Sequence, residues 1–539
     1  MLPRPRLPAV KITLVNPAIT ATNIKRLPQL QPPLGLGYLA ACLRRDGHDV
    51  RAVDGIGQAI GRFTPFIDGY YVHGLPIDEI VEQIDADSDV IGVGIMFSNF
   101  WPLSKRLLHA IRRRFPRTVI VCGGEHVSAC TELVLRDAPV DYAAVGEGEE
   151  TLSELVAYLG GSDTATPPRG IAGLAYRTPD GRIVFNTKRE RRRTLDQIPW
   201  PAWDLFPVER YMDARVFASM PLHGHQRPMV MLATRGCPYT CKFCSSEQMW
   251  GTNFFMRSPR DIVDEMESYM RRYGANDFHF QDLTLVINKH WVGRLCDEIE
   301  SRNLDVTWKT TAGTRSEALD LDLLQKMYRS GCDEILLAPE SGSARMNEII
   351  RKRVRLDKVL TVVRTIRDHR LPLSVTGLMI IGYPEETLRN VFETYRYLFA
   401  MVRNGFWSVY INSFTAYPGS EYYQIALREG RLQHTDDYFL NLERNFGFVN
   451  SHASWHPRWS GRRIFALRAI GYFVFFGAYY LLRPVNILRS IRNVLKNSPH
   501  TRFERFFAFR LWQPLRRVNA YRPAVSGEGA LAAAKVPTA

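Results

Sequence analysis

The stretch of sequence that decides the fold is Arg235-Gly236-Cys237-Pro238-Tyr239-Thr240-Cys241-Lys242-Phe243-Cys244-Ser245. It follows the apolar run Met229-Val230-Met231-Leu232-Ala233, which is typical of a buried strand. Its three cysteines, spaced C-x3-C-x2-C, therefore lie on a loop that leaves the end of a strand, where α/β folds place their chemistry. Three thiolates on so short a loop can hold an iron–sulfur cluster at three of its four irons, which leaves the fourth iron open to another ligand.

A zinc site, a disulfide framework and chance each account for these cysteines less well. A structural zinc site usually takes four protein ligands in paired C-x2-C units, and the sequence has no second pair. A disulfide framework needs an oxidising compartment, and 8 cysteines spread over 539 residues are not the pattern of a secreted protein. Three thiols so close together behind a strand also fit chance poorly.

The aromatic residue Phe243 stands directly before the last cysteine. With it, the motif resembles the signature of the radical S-adenosylmethionine (radical SAM) family. The resemblance implies that Cys237, Cys241 and Cys244 hold a [4Fe-4S] cluster. It also implies that the open iron chelates the amino and carboxylate groups of SAM, and that Phe243 lies beside the adenine.

The length of 539 residues predicts several domains, and an apolar content of 45% is ordinary for a globular protein. The chain opens with Met1-Leu2-Pro3-Arg4-Pro5-Arg6 and runs directly into a strand-like segment, so we expect no secretory signal. Free thiols and no signal favour the cytoplasm.

Residues 8–160 alternate short apolar strands with amphipathic helices. This alternation predicts an α/β fold with a doubly wound, Rossmann-like parallel sheet, whose ligand crevice lies beyond the carboxyl ends of the strands. We expect strands at Val10 to Val15, Asp49 to Val53, Val90 to Met96, Val119 to Cys122 and Tyr142 to Val145.

Glycines end the later strands of this domain, at Gly123-Gly124 and Gly146-Glu147. Each pair alone is equally consistent with a tight turn. Together with the segment PPLGLGYLA from Pro32, they resemble the cobalamin-binding domain that precedes many radical SAM domains. The resemblance implies that Gly123, Gly124, Gly146 and Glu147 contact cobalamin.

Two histidines are weak candidates for a cobalt ligand. His48 follows Asp46-Gly47, which mimics the start of the cobalamin motif D-x-H-x-x-G, but the motif's glycine is absent and a turn is expected. His126 is better placed, yet such a histidine more often packs or caps than ligates. The resemblance therefore suggests a cobalamin that takes no histidine ligand from this domain.

Residues 161–215 are predicted to link the two halves, with a hairpin at Gly173 to Phe185. From 216 to 430 the β/α alternation resumes, and six strands predict a partial (β/α)6 barrel. We expect these strands at Pro228 to Thr234, Phe278 to Gln281, Val306 to Thr310, Glu334 to Ala338, Leu373 to Ile381 and Val409 to Phe414.

Polar groups recur where these barrel strands end, as an active site in this architecture requires. By resemblance, Glu340 and Ser341 match positions that hold the SAM amino group and ribose. By resemblance, Arg315, which begins the stretch Arg315-Ser316-Glu317-Ala318-Leu319, faces the pocket, and Gly382 gives the backbone room for adenine. Asp282 either faces substrate or satisfies a loop. No catalytic acid or base is assigned.

Residues 431–525 are predicted to form a basic, helical C-terminal domain, followed by a disordered tail at 526–539. From 461 to 525 there are thirteen Arg and Lys against one acid, Glu504, so this segment holds +12 of the formal net charge of +15. Its apolar run Ile470–Leu482 is thirteen residues long, short of the ~20 needed to span a bilayer. A helical cap on the barrel and an interfacial helix on anionic lipid both remain open. Nucleic acid is not expected, because no groove-reading motif accompanies the charge.

Two cofactor modules in one chain imply that the cofactors do the difficult chemistry while the protein positions them. The resemblance implies a cobalamin-dependent radical SAM methyltransferase, in which a 5′-deoxyadenosyl radical abstracts hydrogen from an unactivated carbon that then takes a methyl group from methylcobalamin. The alternatives are a radical cyclase or rearrangement enzyme without methyl transfer, such as an anaerobic magnesium-protoporphyrin ester cyclase, or a cobalamin sensor without catalysis. We expect a small-molecule or lipid substrate and a reductant such as flavodoxin or ferredoxin. We also expect peripheral contact with the inner membrane surface through residues 461–525.

Overall fold

The structure is a computed structural model that describes residues 9–22, 29–67, 69–161, 168–214, 226–444, 453–496 and 504. The predicted tail at 526–539 lies outside these residues. The elements of the first part are β1 (Lys11–Asn16), β2 (Ile19–Ala21), α1 (Leu34–Arg45), β3 (Asp49–Asp54), β4 (Phe63–Pro65), β5 (Tyr71–His73), α2 (Ile77–Glu82), β6 (Val90–Gly94), α3 (Trp101–Arg114), β7 (Val119–Gly123), α4 (Glu125–Ala129), α5 (Thr131–Asp137), β8 (Tyr142–Ala144), α6 (Gly148–Leu159), β9 (Leu174–Arg177), β10 (Ile183–Phe185) and α7 (Val208–Ala214).

The first sheet has the strand order β10-β9-β8-β7-β6-β1-β3. Strands β3, β1, β6, β7 and β8 run parallel to one another, as predicted. Leu14 and Val15, successive residues of β1, belong to different apolar clusters, because alternate side chains leave a strand on opposite faces and both faces are covered. The doubly wound sheet is thus confirmed.

The hairpin expected in the linker belongs to this sheet. Strands β9 and β10 pair with each other in antiparallel fashion, and β9 pairs with β8 through Tyr176 and Tyr142. The sheet therefore extends to Phe185, past the predicted domain boundary at residue 160. A separate antiparallel sheet, β2-β5-β4, had no sequence prediction.

The second part is a barrel of six parallel strands, in the order Pro228–Met231, Asp277–Phe280, Thr307–Thr310, Cys332–Glu340, Ser374–Ile381 and Ser408–Ser413, open between its first and last members. Its elements are β11 (Pro228–Met231), β12 (Thr234–Arg235), α8 (Ser246–Trp250), β13 (Phe255–Met256), α9 (Pro259–Tyr273), β14 (Asp277–Phe280), α10 (Lys289–Ser301), β15 (Thr307–Thr310), α11 (Leu321–Arg329), β16 (Cys332–Glu340), α12 (Ala344–Ile349), α13 (Leu356–Asp368), β17 (Ser374–Ile381), α14 (Leu388–Asn404), β18 (Ser408–Ser413), α15 (Glu421–Arg428), α16 (Asp436–Arg444), α17 (Gly461–Leu482) and α18 (Val485–Leu495).

Local sequence signals set the helix ends of the barrel. Helix α9 begins where the Ser258 hydroxyl accepts a hydrogen bond from the Asp261 N–H, and it ends at Gly274, whose φ of 63° closes the last turn. Helix α14 begins at a reciprocal pair of hydrogen bonds between Thr387 and Asn390. Such caps fix the lengths of the helices and hence the level at which each strand end opens to the site.

Helix α17 is 22 residues long, and by length and composition alone it could cross a membrane. Its packing is instead that of a cap on the barrel: Tyr472, Phe475 and Tyr479 are buried. The buried guanidinium of Arg468 donates hydrogen bonds to the Ile411 carbonyl at 2.9 Å and to Ser413 Oγ at 3.0 Å. The predicted thirteen-residue apolar run is therefore part of a longer helix that covers β18 and α14.

Candidate radical and corrin site

The cysteine loop, residues 236–245, leaves the end of β12 and carries Cys237, Cys241 and Cys244, all three half-buried. The Lys242 N–H donates to the Ile350 carbonyl at 3.0 Å, which ties the loop to the end of α12. Burial raises the pKa of each thiol, that of Cys241 to about 11, while the charge of Lys352 acts in the opposite direction on Cys237 and Cys241. A cation beside these sulfurs favours their thiolate form, which is the form that binds iron.

Among the described residues, no three His, Cys, Asp or Glu are gathered as a single metal ion would require. A four-iron cluster is wider than one ion, so its thiolates stand farther apart. Three sulfurs on one loop with Lys352 and Arg315 beside them therefore fit a [4Fe-4S] cluster, which leaves one iron without a protein thiolate.

Asp282 holds the strand that leads into the cysteine loop. Its buried carboxylate accepts hydrogen bonds from the Ala233 N–H at 3.2 Å and from the N–H and hydroxyl of Thr234. Burial raises its pKa to about 6 in spite of these donors. Of the two roles left open by the sequence, the geometry supports the loop-holding one.

Arg315 supports the cysteine loop from the other side. Its guanidinium carbon lies 3.9 Å from the centre of the Tyr239 ring, and its N–H groups donate to the carbonyls of Lys352 (2.8 Å) and Arg353 (3.1 Å). Such cation–π stacking orients Tyr239 within the loop. The predicted contact of Arg315 with SAM stays a prediction.

Glu340 ends β16 in the left-handed region, with φ of 62°, which is uncommon for a residue other than glycine. Its carboxylate accepts a hydrogen bond from the buried Lys352 ammonium at 2.9 Å. Lys352 thus stands between Glu340 and the cysteine loop. Strained backbone of this kind clusters at ligand sites, so the placement is compatible with the predicted role of Glu340 in orienting SAM.

Ser341 and Gly382 are less accessible to a bound ligand than the resemblance implies. The Ser341 side chain is fully buried, 3.3 Å from Thr394 Oγ1. A Cβ on Gly382, which has φ of 100°, would meet the Ile464 side chain of α17 at 2.9 Å. Phe243 packs edge-on to Tyr383, with ring centres 5.9 Å apart, so these two rings form the aromatic wall of the site. The contacts of all three predicted residues with SAM stay predictions.

The carboxyl end of the first sheet shows the features of a corrin crevice. Gly124 has φ of 116°, and a Cβ there would come within 2.4 Å of the Ile95 carbonyl oxygen. Gly123 and Gly146 have more room. Beside them, the exposed side chains of Met96 and Phe97 follow β6, with 45% and 52% of their surface accessible. The contacts at Gly124 are with backbone that follows β6, so this glycine serves close packing, whereas the room at Gly123 beside an exposed apolar pair fits a flat macrocycle with apolar edges.

His126 packs against its neighbours, as its sequence position predicted. It is 1% exposed, its Nδ1 lies 2.9 Å from Ser98 Oγ, and its ring packs beside Trp101. Burial lowers its pKa to about 3, so it stays neutral. His48 lies in the turn after α1, where its Nδ1 accepts a hydrogen bond from the Val10 N–H at 3.4 Å.

The structure also shows an ion-pair group that sequence reasoning missed, which we call the interdomain latch. The buried guanidinium of Arg235 pairs with Glu147 at 2.9 Å and with Glu149 at 2.7 Å, while Arg191 pairs with Glu147 at 2.8 Å. The Glu147 carboxylate joins the first sheet to Arg235, which lies just before the cysteine loop, and the predicted contact of Glu147 with cobalamin stays a prediction. The sequence does show an acidic run after β8 and an arginine-rich linker, but it does not show which acidic residue pairs with which arginine.

A second contact joins the same parts. The hydroxyl of Ser245, next to Cys244, donates a hydrogen bond to the Glu125 carboxylate at the start of α4. The cysteine loop is therefore held directly at the carboxyl end of the first sheet. Cofactors bound in the two modules would face one another across this junction.

Comparison with known proteins agrees with this geometry. The family described as "Radical SAM superfamily" matches residues 231–398, and the family described as "B12 binding domain" matches residues 22–156. An uncharacterized methyltransferase of Pyrococcus horikoshii is 30% identical over 78% of this chain and 84% of its own length. Cytidylyl-2-hydroxyethylphosphonate methyltransferase of Streptomyces wedmorensis is 28% identical over 83% of this chain and 86% of its own length.

Among solved structures, the cobalamin-dependent S-adenosylmethionine radical enzyme OxsB superposes with a TM-score of 0.65. The match covers 94% of this chain and 79% of that one at 15% identity, so it bears on the fold. Sequence matches and fold agree on both modules and their order. The chain belongs to the cobalamin-dependent radical SAM enzymes, with a [4Fe-4S] cluster, SAM and cobalamin as its cofactors, and within them to the methyltransferases.

Proposed function

We propose that this enzyme methylates an unactivated carbon of a small-molecule or lipid substrate. When bound, cobalamin supplies the methyl group, and SAM at the cluster supplies the radical that removes a hydrogen atom from the substrate. The residues of the chain position these groups. Cys237, Cys241 and Cys244 would hold the cluster, and the Glu340–Lys352 pair would supply polar groups to orient SAM near it.

The observation that carries this proposal is the junction between the two modules. Ser245 bonds to Glu125, and Arg235 pairs with Glu147, so the cysteine loop lies against the glycine-lined edge of the first sheet. A substrate held there would stand between both cofactors, and a reactive carbon would be sheltered from water by Phe243 and Tyr383. Transfer of a methyl group requires that the substrate and both cofactors be held in fixed positions of this kind.

The experiment is anaerobic reconstitution with iron, sulfide and hydroxocobalamin, then incubation with SAM, a strong one-electron reductant and candidate extracts, followed by mass analysis of the products. We expect a product heavier by one CH2 unit and 5′-deoxyadenosine as co-product. The triple variant Cys237→Ala, Cys241→Ala, Cys244→Ala should lose the cluster absorbance and SAM cleavage while it still binds cobalamin. A rearranged or cyclised product without added carbon would instead support the cyclase alternative, and cobalamin binding without SAM cleavage would support a sensor.

The partners that we propose are a reductant such as flavodoxin or ferredoxin, which must deliver single electrons to the cluster, and the substrate itself. We also propose that the enzyme acts in the cytoplasm, in peripheral contact with the inner membrane surface through residues 461–525. The charge of this segment supports that contact, since it holds most of the net positive charge of the chain.

A further inference from the structure

Helix α18 buries polar residues and exposes apolar ones, which is the reverse of the usual pattern for a surface helix in water. Its polar residues Asn486 and Ser490 are buried against the protein. Ser490 Oγ donates to the Glu504 carboxylate at 2.6 Å and lies 3.0 Å from the Tyr480 hydroxyl. A surface helix normally buries its apolar stripe and exposes its polar one. Here the stripe that faces the protein is mainly polar, with Asn486 and Ser490 followed by the single apolar residue Val494.

The opposite stripe of α18 is apolar and exposed. Leu488, Ile491 and Leu495, spaced by three and four residues, keep 71%, 51% and 59% of their surface accessible. The stripe continues past Pro484 onto the end of α17, where Leu481 is 78% exposed and Val485, at the start of α18, is 70% exposed. A row of this length is more than the scattered apolar residues of an ordinary surface.

Basic side chains border this apolar row. Arg489, Arg492 and Lys496 each follow one residue after a member of the stripe, so they form a parallel row about 100° around the helix. Helix α18 contains no acidic residue. An apolar row with a basic row beside it fits the boundary between acyl chains and anionic headgroups, where long basic side chains reach back to the phosphates.

We propose that α18 and the end of α17 lie flat on an anionic lipid bilayer, with Leu488, Ile491 and Leu495 in the acyl boundary. This deepens the membrane contact of the proposed function by naming the face that touches lipid, and it does not depend on methyl transfer. Charge complementarity decides the occupant: a second copy of this chain would bring another set of basic residues against the first. Arg489 stacks over Trp407, which directly precedes β18, so α18 lies at the amino ends of the barrel strands, the end opposite the barrel mouth.

The test uses the full chain loaded with cluster and cobalamin, sedimented with vesicles of phosphatidylglycerol and phosphatidylcholine or of phosphatidylcholine alone. We expect binding to the anionic vesicles that weakens with added salt. The variants Leu488→Ser/Leu495→Ser and Arg492→Glu/Lys496→Glu should each lower the partition coefficient by at least about tenfold. Exposed positions tolerate such changes, and unaltered cluster absorbance and Tm will show that the variants fold.

The matched control is Arg113→Glu/Arg117→Glu, which makes the same change of charge at exposed positions in and just after α3. It should bind vesicles as the parent does. Equal binding by the leucine variants, or no binding of the parent to anionic vesicles, overturns the proposal. So does a dimer in sedimentation equilibrium that Leu488→Ser disperses, because the stripe would then be an interface between copies. Methyl transfer by a chain that does not bind vesicles would contradict this membrane proposal but would leave the proposed methyl transfer intact.

Discussion

At the scale of single residues, Gly124 packs so closely against the backbone that follows β6 that the fold allows no side chain there. Its φ of 116° and the Ile95 carbonyl oxygen, which a Cβ would approach to 2.4 Å, both exclude alanine. We expect Gly124→Ala to lower the free energy of unfolding of the first domain by about 1–3 kcal/mol and to weaken cobalamin retention. The control is Gly61→Ala, at an exposed position where an added Cβ would meet nothing within 4 Å. Thermal unfolding and cobalamin absorbance after gel filtration compare the two, and equal losses would contradict the argument.

Glu386 is expected to make the stability of the folded chain depend on pH. Its carboxylate accepts a hydrogen bond from the Gly382 N–H at 2.5 Å, its other oxygen has no partner within the described part of the chain, and burial raises its pKa to about 8. Between pH 4.5 and 8 the folded chain therefore holds a proton that the unfolded chain releases. Stability from this group is present at low pH and falls as pH rises through that window, by at most about 1.4 kcal/mol per unit. Glu386→Gln should flatten the slope of unfolding free energy from pH 5 to 8, as urea titrations would show; parallel slopes would refute it.

At the scale of elements, the interdomain latch sets how the cysteine loop faces the first sheet. Arg235→Met would leave Glu147 and Glu149 buried with one cation fewer, and breaking a buried pair costs about 3–5 kcal/mol. We expect the cluster to assemble on its three cysteines. Pulsed EPR should show a broader distribution of distances between the cluster and paramagnetic cob(II)alamin than in the parent. Lys289→Met is the control, because its ion pairs with Asp320 and Asp322 are exposed and worth little. An unchanged distance distribution in Arg235→Met would show that the interdomain latch stabilises the fold but does not set the position of the cysteine loop.

Elements are also where prediction from sequence worked best, for a physical reason. Several strands, such as β11 (PMVM) and β6 (VIGVG), are short apolar runs buried on both faces, and such runs are visible in sequence. The pairing of β9 with β8 was not visible, because hairpin residues carry no mark of the strand they will join. The same limit hid Arg235 and Glu147, which meet across 88 positions, and the inward direction of the Ser341 hydroxyl. Motif spacing fixes which residues share a loop, whereas tertiary packing decides where each side chain points.

At the scale of the whole molecule, the C-terminal segment has two parts with different duties. Helix α17 covers β18, an edge strand of the barrel, and Arg468 and Tyr472 bond to its backbone at Ile411. A chain ending at residue 460 would expose that edge and the apolar face of α14, so we expect it to aggregate. A chain ending at residue 484 keeps α17 and should assemble its cluster, with a small loss of Tm. Solubility, cluster absorbance and Tm of the two truncations test this. If both fold alike, α17 is dispensable to the barrel; if both aggregate, α18 is part of the core and its apolar face serves the fold rather than lipid.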